Sequence, residues 1–472
     1  MPNHKKKIAI IGAGPAGLTA ADELSTKGYK VDIFESSTEV GGMAKSIRLW
    51  GRIVDLGPHR FFSNDTRVNK KWLSVIGNDY YMVDRLTRIY YKNKFYLYPL
   101  RPFNALFNLG FFESFACILS YLTAKIYIKE SNTTFEDWVT KRFGHRLYSI
   151  FFKSYSEKLW GISCKDLDSD FAAQRIKKLS LFEAVKSAFI NSGKKHKTLV
   201  DEFAYPFKGN GEIYLRMYER VKKNGGNVFL STKINSIKIF KNSENKIILN
   251  NNKNCIYDHL ISSMPLTNFV NLIDAPKNIL YAANNLKFRN TVLVYLRLDS
   301  INIFPDQWLY IHSDNVKTGR ITNFNNWNKN YAEKFTILCL EYWCNDNDKI
   351  WKNSDNSLIN LAKKEIKAIG VSKSLNIIDG KIIRIPKCYP VYSVGYQENL
   401  LAIKDYIKNF KNIDVIGRYG SFKYNNQDHS ILMGLLAADN IINGYKNNLW
   451  EINTDYEYHE KSTITSTGLV IE

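Results

Sequence analysis

Lys7-Ile-Ala-Ile-Ile-Gly-Ala-Gly-Pro-Ala-Gly-Leu18 opens with a short apolar run and turns at once into glycines. A continuous apolar segment of that length, closed by glycine, reads as a parallel strand buried on both faces. Gly12, Gly14 and Gly17 complete G-x-G-x-x-G. The first permits a tight turn, the second lets a pyrophosphate approach the backbone, and the third lets the next helix pack against the strand. Pro15 and Ala16 belong to the same turn. The helix is expected to run to about Lys27, with Gly28 at its C′ position. Its N-terminal amides and dipole favour a dianionic group. A second strand, Lys30-Val-Asp-Ile-Phe-Glu35, ends in an acid placed to accept hydrogen bonds from ribose hydroxyls. A strand before, a helix after and an acid at that distance point to dinucleotide binding rather than to a structural glycine turn.

The next residues choose between dinucleotides. Glu35-Ser-Ser-Thr-Glu-Val-Gly-Gly42 carries a few polar residues and a Gly-Gly pair past the ribose acid, a pattern of many FAD proteins. Amides there lie where a second pass over the pyrophosphate would be made. FAD is therefore expected over NAD, with Ser36, Gly42 and Met43 joining the cofactor-binding set.

A chain of 472 residues accommodates two or three domains. Met1-Pro-Asn-His-Lys-Lys-Lys is basic, but Ile8 to Ile11 is too short for a signal-peptide core. The six cysteines form no C-x-x-C pair or disulfide-like spacing, so reduced thiols in a cytoplasmic protein are expected, with no metal site. Lysines are scattered, so the formal charge of +21 is in part a solvated basic surface. It also suits an anionic substrate such as a nucleotide diphosphate, or peripheral contact with an acidic membrane face. No nucleic-acid motif or basic-aromatic alternation is present, and nucleic acid is excluded as a partner.

Along the chain, Gly57-Pro58 after a short strand places His59 on a loop. Thr87-Arg-Ile-Tyr-Tyr and Lys94-Phe-Tyr-Leu-Tyr read as a hairpin across Lys92-Asn93. From Pro102 to about Lys195 the pattern is helical, with helices predicted over 145–158, 170–178 and 181–190. The apolar stretch 105–128 is interrupted by Asn108, Gly110 and Glu113, so it is expected as a helix pair and not a membrane span. Thr134-Phe-Glu-Asp137 resembles a capping box. The segments 203–235, 259–265 and 411–450 alternate strand and helix as a chain re-entering the first sheet. Residues 288–299, 308–312, 320–324 and 335–343 are strand-like and predict a second one. The fold class expected is α/β: a Rossmann-like FAD-binding domain, discontinuous in sequence, with a helical insertion and a second, mainly antiparallel sheet domain. The expected segments are 1–85, 203–265 and 411–450 for the first, 102–200 for the helices, 86–101 and 266–410 for the second sheet, and 451–472 as a surface tail.

Gly417-Arg-Tyr-Gly-Ser-Phe-Lys-Tyr-Asn-Asn-Gln-Asp-His-Ser430, continuing into Gly434 and Ala437-Ala-Asp-Asn440, resembles a block of the UDP-galactopyranose mutase family, most closely its eukaryotic-type branch. Gly57-Pro-His59 is similar to that family's G-P-H loop. Trp308-Leu-Tyr310 with Arg320 and Trp327 is similar to its W-L-Y, arginine and aromatic series. Gln174-Arg175 falls where it has an E-R pair after a K-x-W-x-[IV] block, here Lys158-Leu-Trp-Gly-Ile162, and Tyr389-Pro390 resembles its Y-P. The resemblance implies interconversion of the pyranose and furanose forms of a nucleoside-diphosphate sugar, UDP-galactose-like, without net redox change. It implies reduced FAD, whose N5 displaces the diphosphate at the anomeric carbon, and hence an electron donor such as NAD(P)H.

Residue chemistry suits this. Departure of a diphosphate leaves extra negative charge, which arginine meets with bidentate donors that stay protonated. Arg175 and Arg320 are expected to clamp it, preorganised for its return attack. His59 is expected to hydrogen-bond near the flavin N5, making His59, Arg175 and Arg320 the catalytic set. Gly57, Pro58, His59, Gly417, Arg418, Asn426, Gln427 and Ser430 complete the cofactor set. Tyr98, Arg101, Arg175, Trp308, Tyr310, Arg320, Trp327, Tyr389, Tyr424 and Asn426 are the expected substrate contacts. Asn426 and Gln427 equally suit a helix cap, and Asp428-His429 a structural role. Tyr98-Pro-Leu-Arg101 departs from the family in its arginine, and Trp327 stands where a tyrosine is expected. The competing assignment is an FAD oxidoreductase of the amine-oxidase, protoporphyrinogen-oxidase or desaturase kind, which shares the N-terminal fingerprint. The oligomeric state is not legible.

Overall fold

A computed structural model describes residues 5–127, 133–175, 202–240, 247–250, 254–328, 331, 334–372 and 375–452. The chain divides into two compact units, Met1–Met82 with Phe203–Leu286 and Tyr396–Glu472, and Val83–Glu202 with Lys287–Gly395.

The first unit is built on the strand Lys7–Ile11. It pairs in parallel with Lys30–Phe34 on one side and His259–Ser262 on the other, Ile10 lying opposite both Ile33 and Ile261. Asn227–Phe229 and Ile413–Val415 extend the sheet at its two edges, giving five strands, all parallel. Ile8, Ala9 and Ile10 are fully buried, as expected of a central parallel strand covered on both faces. Pro15–Thr26, Glu212–Lys223 and Gln427–Asn443 contribute Leu18, Leu24, Ile213, Met217, Ile431 and Met433 to one core with these strands. The last helix lies so close to the first that a Cβ on Gly434 would stand 2.5 Å from the Ala16 carbonyl oxygen. A separate antiparallel sheet of three strands follows, Ser236–Ile239, Ile247–Asn250 and Asn254–Tyr257.

Segments 266–286 and 396–410, expected within the second sheet domain, belong instead to this first unit. They form helices, Lys277–Asn285 packing on Tyr396–Ile407, and bury Ile279, Ala283, Ile403 and Ile407. Their apolar residues follow a helical stripe that a strand-oriented reading passed over.

The second unit carries a seven-stranded sheet in the order Ile377–Pro390, Phe288–Leu298, Thr336–Cys344, Arg320–Asn323, Trp308–Ile311, Thr87–Tyr91, Lys94–Leu97. Pairing is antiparallel except between Trp308–Ile311 and Thr87–Tyr91. The hairpin turn is made by Lys92 and Asn93 with φ of 47° and 60°, as a two-residue primed turn requires. Alternation along the strands separates two faces. Val292, Val294, Leu309, Ile321, Leu338 and Leu340 pack with Leu358, Ala362 and Ile366 of the helix Asp355–Ile369. The opposite face carries aromatic and polar residues.

The helices expected as a separate insertion belong to this second unit. Pro102–Leu109 and Phe111–Tyr127 form the pair expected at 105–128. Phe135–Tyr148 is capped by Thr134, whose hydroxyl accepts from the Asp137 amide at 3.1 Å. Instead of one helix over 145–158, a π-helical turn Ser149–Lys153 joins it to Ser154–Trp160. Among the described residues no helix is long and apolar enough to cross a membrane. The helix predicted over 181–190 and the tail from 453 lie outside the described residues.

Candidate active site

The turn after the first strand has the geometry that its glycines predict. Gly12 holds φ at 99°, and its amide donates to the Phe34 carbonyl at 2.8 Å. Gly14 is the N-cap of the first helix, Pro15 is its first residue, and no side chain caps it. A Cβ on Gly17 would lie 2.0 Å from the Gly12 carbonyl oxygen, so strand, turn and helix interlock only with glycine there. Gly14 differs: a Cβ there would meet only the Gly42 Cα, at 3.9 Å. The two glycine backbones thus border a groove that a side chain would fill. Glu35 is buried beside it. Oε2 accepts from the Ala13 amide and Oε1 from the Ser37 amide, each at 2.8 Å, and Oε1 also accepts from the Ser36 hydroxyl at 3.4 Å, which aims the group and leaves Oε2 a second lone pair. Ser36 is exposed at the strand end, and Gly42–Ala44 makes a short turn in which Met43 receives the Tyr419 hydroxyl. An uncapped helix start, a glycine-lined groove and an oriented acid fit a flavin dinucleotide: Ala16 and Gly17 amides toward the pyrophosphate, Glu35 toward a ribose.

The loop Gly57-Pro58-His59 follows the strand Arg52–Asp55 in the same unit, with Gly57 at φ 89°. The His59 ring sits close to its own loop, with Nε2 2.9 Å from the Leu56 carbonyl oxygen. A carbonyl oxygen only accepts, so that contact places a proton on Nε2. Asp55 anchors the loop from below. It is fully buried, accepts from the Asn210 amide at 3.1 Å, and desolvation lifts its carboxyl to about 7.

The 417–430 block seats the last helix. Gly417 (φ 78°) opens a single turn, and a Cβ on it would stand 3.0 Å from the Ala16 Cβ. Arg418 donates to the Asn425 carbonyl at 3.1 Å and lies over the Tyr424 ring, 4.5 Å from its centroid. Asn426 caps the helix Gln427–Asn443 in a reciprocal capping box with His429, and the Ser430 hydroxyl turns back to the Asn426 carbonyl at 3.2 Å. Gln427, expected at the cofactor, is occupied otherwise. Its amide nitrogen donates to the Arg60 carbonyl at 2.8 Å and to Asn210 Oδ1 at 2.9 Å, and its oxygen accepts from the Tyr214 hydroxyl at 2.8 Å. It is a tie between the His59 loop, the 209–211 turn and the helix Glu212–Lys223. Asn210, missed from sequence, is the centre of that tie.

In the second unit, the aromatic face of the large sheet gathers several expected substrate contacts. Tyr310, Arg320 and Glu341 lie side by side across three strands. Trp308, Thr322 and Cys339 form the next such row. Tyr310 makes edge contacts with Tyr98 and Tyr155, at 5.0 and 5.5 Å between ring centres. Arg320 is engaged bidentately: Nε and Nη2 donate to the two oxygens of Glu341 at 2.6 and 2.7 Å. Burial works against its charge, and the adjacent carboxylate more than offsets this, holding the guanidinium well above its ordinary range. The arginine expected to clamp a diphosphate thus already carries a buried carboxylate partner. Its Nη1 hydrogens and one on Nη2 lie outside that fork. Glu341 was missed, although a lone carboxylate in the otherwise apolar strand Thr336–Cys344 marks it.

Trp327, expected at the substrate, is 1% exposed and donates its indole N–H to the Gln307 carbonyl at 3.1 Å, so it is a core residue beside Trp308. Trp308 and Tyr389 are also buried, Tyr389 edge-on to Trp160 and Trp343. Tyr98 and Arg101 are exposed, Arg101 at the N-cap of Pro102–Leu109. Arg175 ends the helix Ser169–Arg175, and its side chain lies outside the described residues. Beside the face, Lys158 donates to the Ser313 carbonyl at 2.5 Å, and burial lowers its ammonium to about 8. Burial and Lys158 together push His312 down to about 3, so that imidazole is neutral at neutral pH. A cavity of about 610 Å³ adjoins Lys158 and Trp343. Its lining sets Lys158, Arg289, Lys317 and Lys349 against Glu157, Asp314 and Asp348, so its charge does not select an anion. Among the described residues no cluster suits a metal ion, and all six thiols are free.

A parallel sheet with this glycine turn, groove and acid, joined to an antiparallel unit, defines a dinucleotide-binding flavoenzyme fold. The family model for flavin-containing amine oxidoreductases matches residues 15–374, and the chain belongs to that family. Its cofactor is accordingly FAD. The chain is similar to coproporphyrinogen III oxidase of Staphylococcus aureus, 22% identical over 93% of this chain and 99% of that one. A zeta-carotene desaturase of Capsicum annuum is 45% identical, but over only 15% of this chain and 13% of its own length. Among solved structures, reduced UDP-galactopyranose mutase superposes with a TM-score of 0.83 at 22% identity, covering 96% of both chains. Putrescine oxidase bound to putrescine superposes at 0.64 with 14% identity, over 93% and 99%.

Proposed function

We propose that this flavoenzyme interconverts the pyranose and furanose forms of a nucleoside-diphosphate sugar. The observation that carries the proposal is the row Tyr310, Arg320 and Glu341, with Trp308, Tyr155 and Trp343 on or against the same face. Such a face offers hydrogen-bond donors, an acceptor and flat rings, the chemistry of a polyhydroxylated ring with a base and phosphates. The similarity to UDP-galactopyranose mutase over nearly the whole of both chains supports it. The chemistry that bound, reduced FAD supplies here is nucleophilic, an electron pair offered to the anomeric carbon with no net oxidation. Glu341 fixes the orientation of Arg320, whose outer N–H groups then hold a phosphate oxygen in place for the reverse step. Because Glu341 neutralises that guanidinium, the net positive charge for a diphosphate falls to Arg175, with Tyr98 and Tyr310 as hydroxyl donors. A reductant of the NAD(P)H kind and a cytoplasmic location belong to the same proposal.

A second reading, an FAD oxidase, is favoured by the full-length similarity to coproporphyrinogen III oxidase. Incubation of dithionite-reduced enzyme with UDP-galactopyranose and a panel of other nucleotide sugars under anaerobic conditions separates the two. Ring-contracted product without stoichiometric loss of reductant is expected. Inert sugar nucleotides, together with hydrogen peroxide released in air on an apolar or tetrapyrrole substrate, would establish the oxidase instead.

A further inference from the structure

The helix Phe111–Tyr127 is amphipathic in the reverse sense. Its small residues face inward: Cys117 and Ala124 are buried, and the helix backbone approaches Phe135–Tyr148 so closely that a Cβ on Gly144 would stand 2.6 Å from the Tyr121 amide. Its large apolar residues face outward. Phe111, Phe115, Ile118, Leu122 and Ile126 recur at helical spacing along one stripe and are all exposed, Phe111 at 81% and Ile126 at 74%. The preceding helix Pro102–Leu109 adds Phe107 at 87%, and Phe112 reaches 88%. Of the 21 exposed large hydrophobic residues among those described, nine fall between Phe103 and Ile126. Scattered exposed apolar residues are ordinary, whereas a contiguous patch of this kind marks an interaction surface. Small residues at the helix–helix contact with bulky ones outside is the arrangement of helices bathed in lipid, not in water.

Charge selects the occupant. Residues 85–127 contain six lysines and arginines, of which Arg88 is paired with the buried Asp306, and a single carboxylate, Glu113. That carboxylate is bonded by Arg146 and leaves no net negative charge beside the patch. Lys92 and Lys94 stand at the hairpin turn, Arg101 at the start of the first helix and Lys125 near the end of the second. Lys94 also ties the hairpin to that first helix through the Asn108 carbonyl. An apolar face rimmed by cations is the pattern of helices that lie in the interface of an anionic bilayer. No helix among the described residues spans one.

We propose that Pro102–Leu109 and Phe111–Tyr127 dock this flavoenzyme on the surface of an anionic membrane, phenylalanines inserted among the acyl chains and the basic rim at the headgroups. Cosedimentation of the FAD-loaded full chain with phosphatidylglycerol/phosphatidylcholine vesicles, against phosphatidylcholine alone, tests it. Binding to the anionic vesicles that weakens as salt rises is expected. The triple variant F107S/F111S/F112S should lower the partition coefficient by about tenfold or more while keeping flavin absorbance and melting temperature, since those rings are exposed. Absence of vesicle binding at low salt would overturn the proposal, and so would equal binding by the variant. Sedimentation velocity without lipid identifies the competing occupant. A wild-type dimer that becomes monomeric in the variant, with no vesicle binding by either, assigns the face to a second copy of the chain. A monomer that ignores vesicles overturns the proposal outright.

Discussion

Arg320 and Glu341 are more than two polar residues on a sheet, because the glutamate side chain is only 2% exposed and both its oxygens are bonded by one guanidinium. Removing one partner leaves the other charge buried and unpaired, which costs about 3–5 kcal/mol. Arg320→Ala should therefore lose that much stability in denaturant titration as well as turnover. The apolar double variant Arg320→Met/Glu341→Leu should recover most of the stability, and in the mutase reading it should stay inactive. A double variant as active as wild type would remove the row from the site. Asp55 makes a second residue-scale prediction. Desolvation lifts its folded-state pKa from 3.8 to about 7. Between those values the unfolded chain releases a proton that the folded one keeps, so this group's contribution to stability falls as pH rises from about 4 to about 7 and then levels off. Asp55→Asn removes that dependence. The melting temperature of the variant minus that of wild type should climb across this window, and a flat difference would contradict the assignment.

At the scale of elements, the glycines of the first turn divide by task. Gly17 is enclosed, its missing Cβ only 2.0 Å from the Gly12 carbonyl oxygen, whereas Gly14 faces open groove. Gly17→Ala should damage strand–helix packing, lowering both melting temperature and flavin content. Gly14→Val should leave the flavin-free protein's melting temperature within a few degrees of the wild type while abolishing flavin uptake. Visible flavin absorbance after reconstitution reads the difference, and a Gly14→Val protein that binds FAD would show that the groove is not the pyrophosphate site. The last helix teaches the converse lesson. Asn426, Gln427 and Ser430 sit in a block whose spacing draws attention to ligands, yet their side chains cap the helix and tie it to the His59 loop and the helix Glu212–Lys223. Residues at a helix start share composition whether they cap or bind, because both tasks need short polar side chains near unpaired amides.

For the whole molecule, the discontinuous first unit and the mainly antiparallel second unit were legible, as were the hairpin at Lys92-Asn93 and the strands of the large sheet. Segments 266–286 and 396–410 were misplaced, because a short helix and a short strand of mixed polarity look alike until their packing partners are known. The apolar run 105–127 was visible as a helix pair, but nothing in its order of residues says which side turns outward. The glycine turn could be read from one dozen residues because its geometry is local: glycines, a strand, a helix start and an acid held in fixed register by the backbone itself. The partner of Arg320, the burial of Trp327 and the ties of Gln427 could not. Each depends on residues brought together across strands or loops far apart in the chain, and only the folded arrangement decides which polar groups meet and which remain for a ligand.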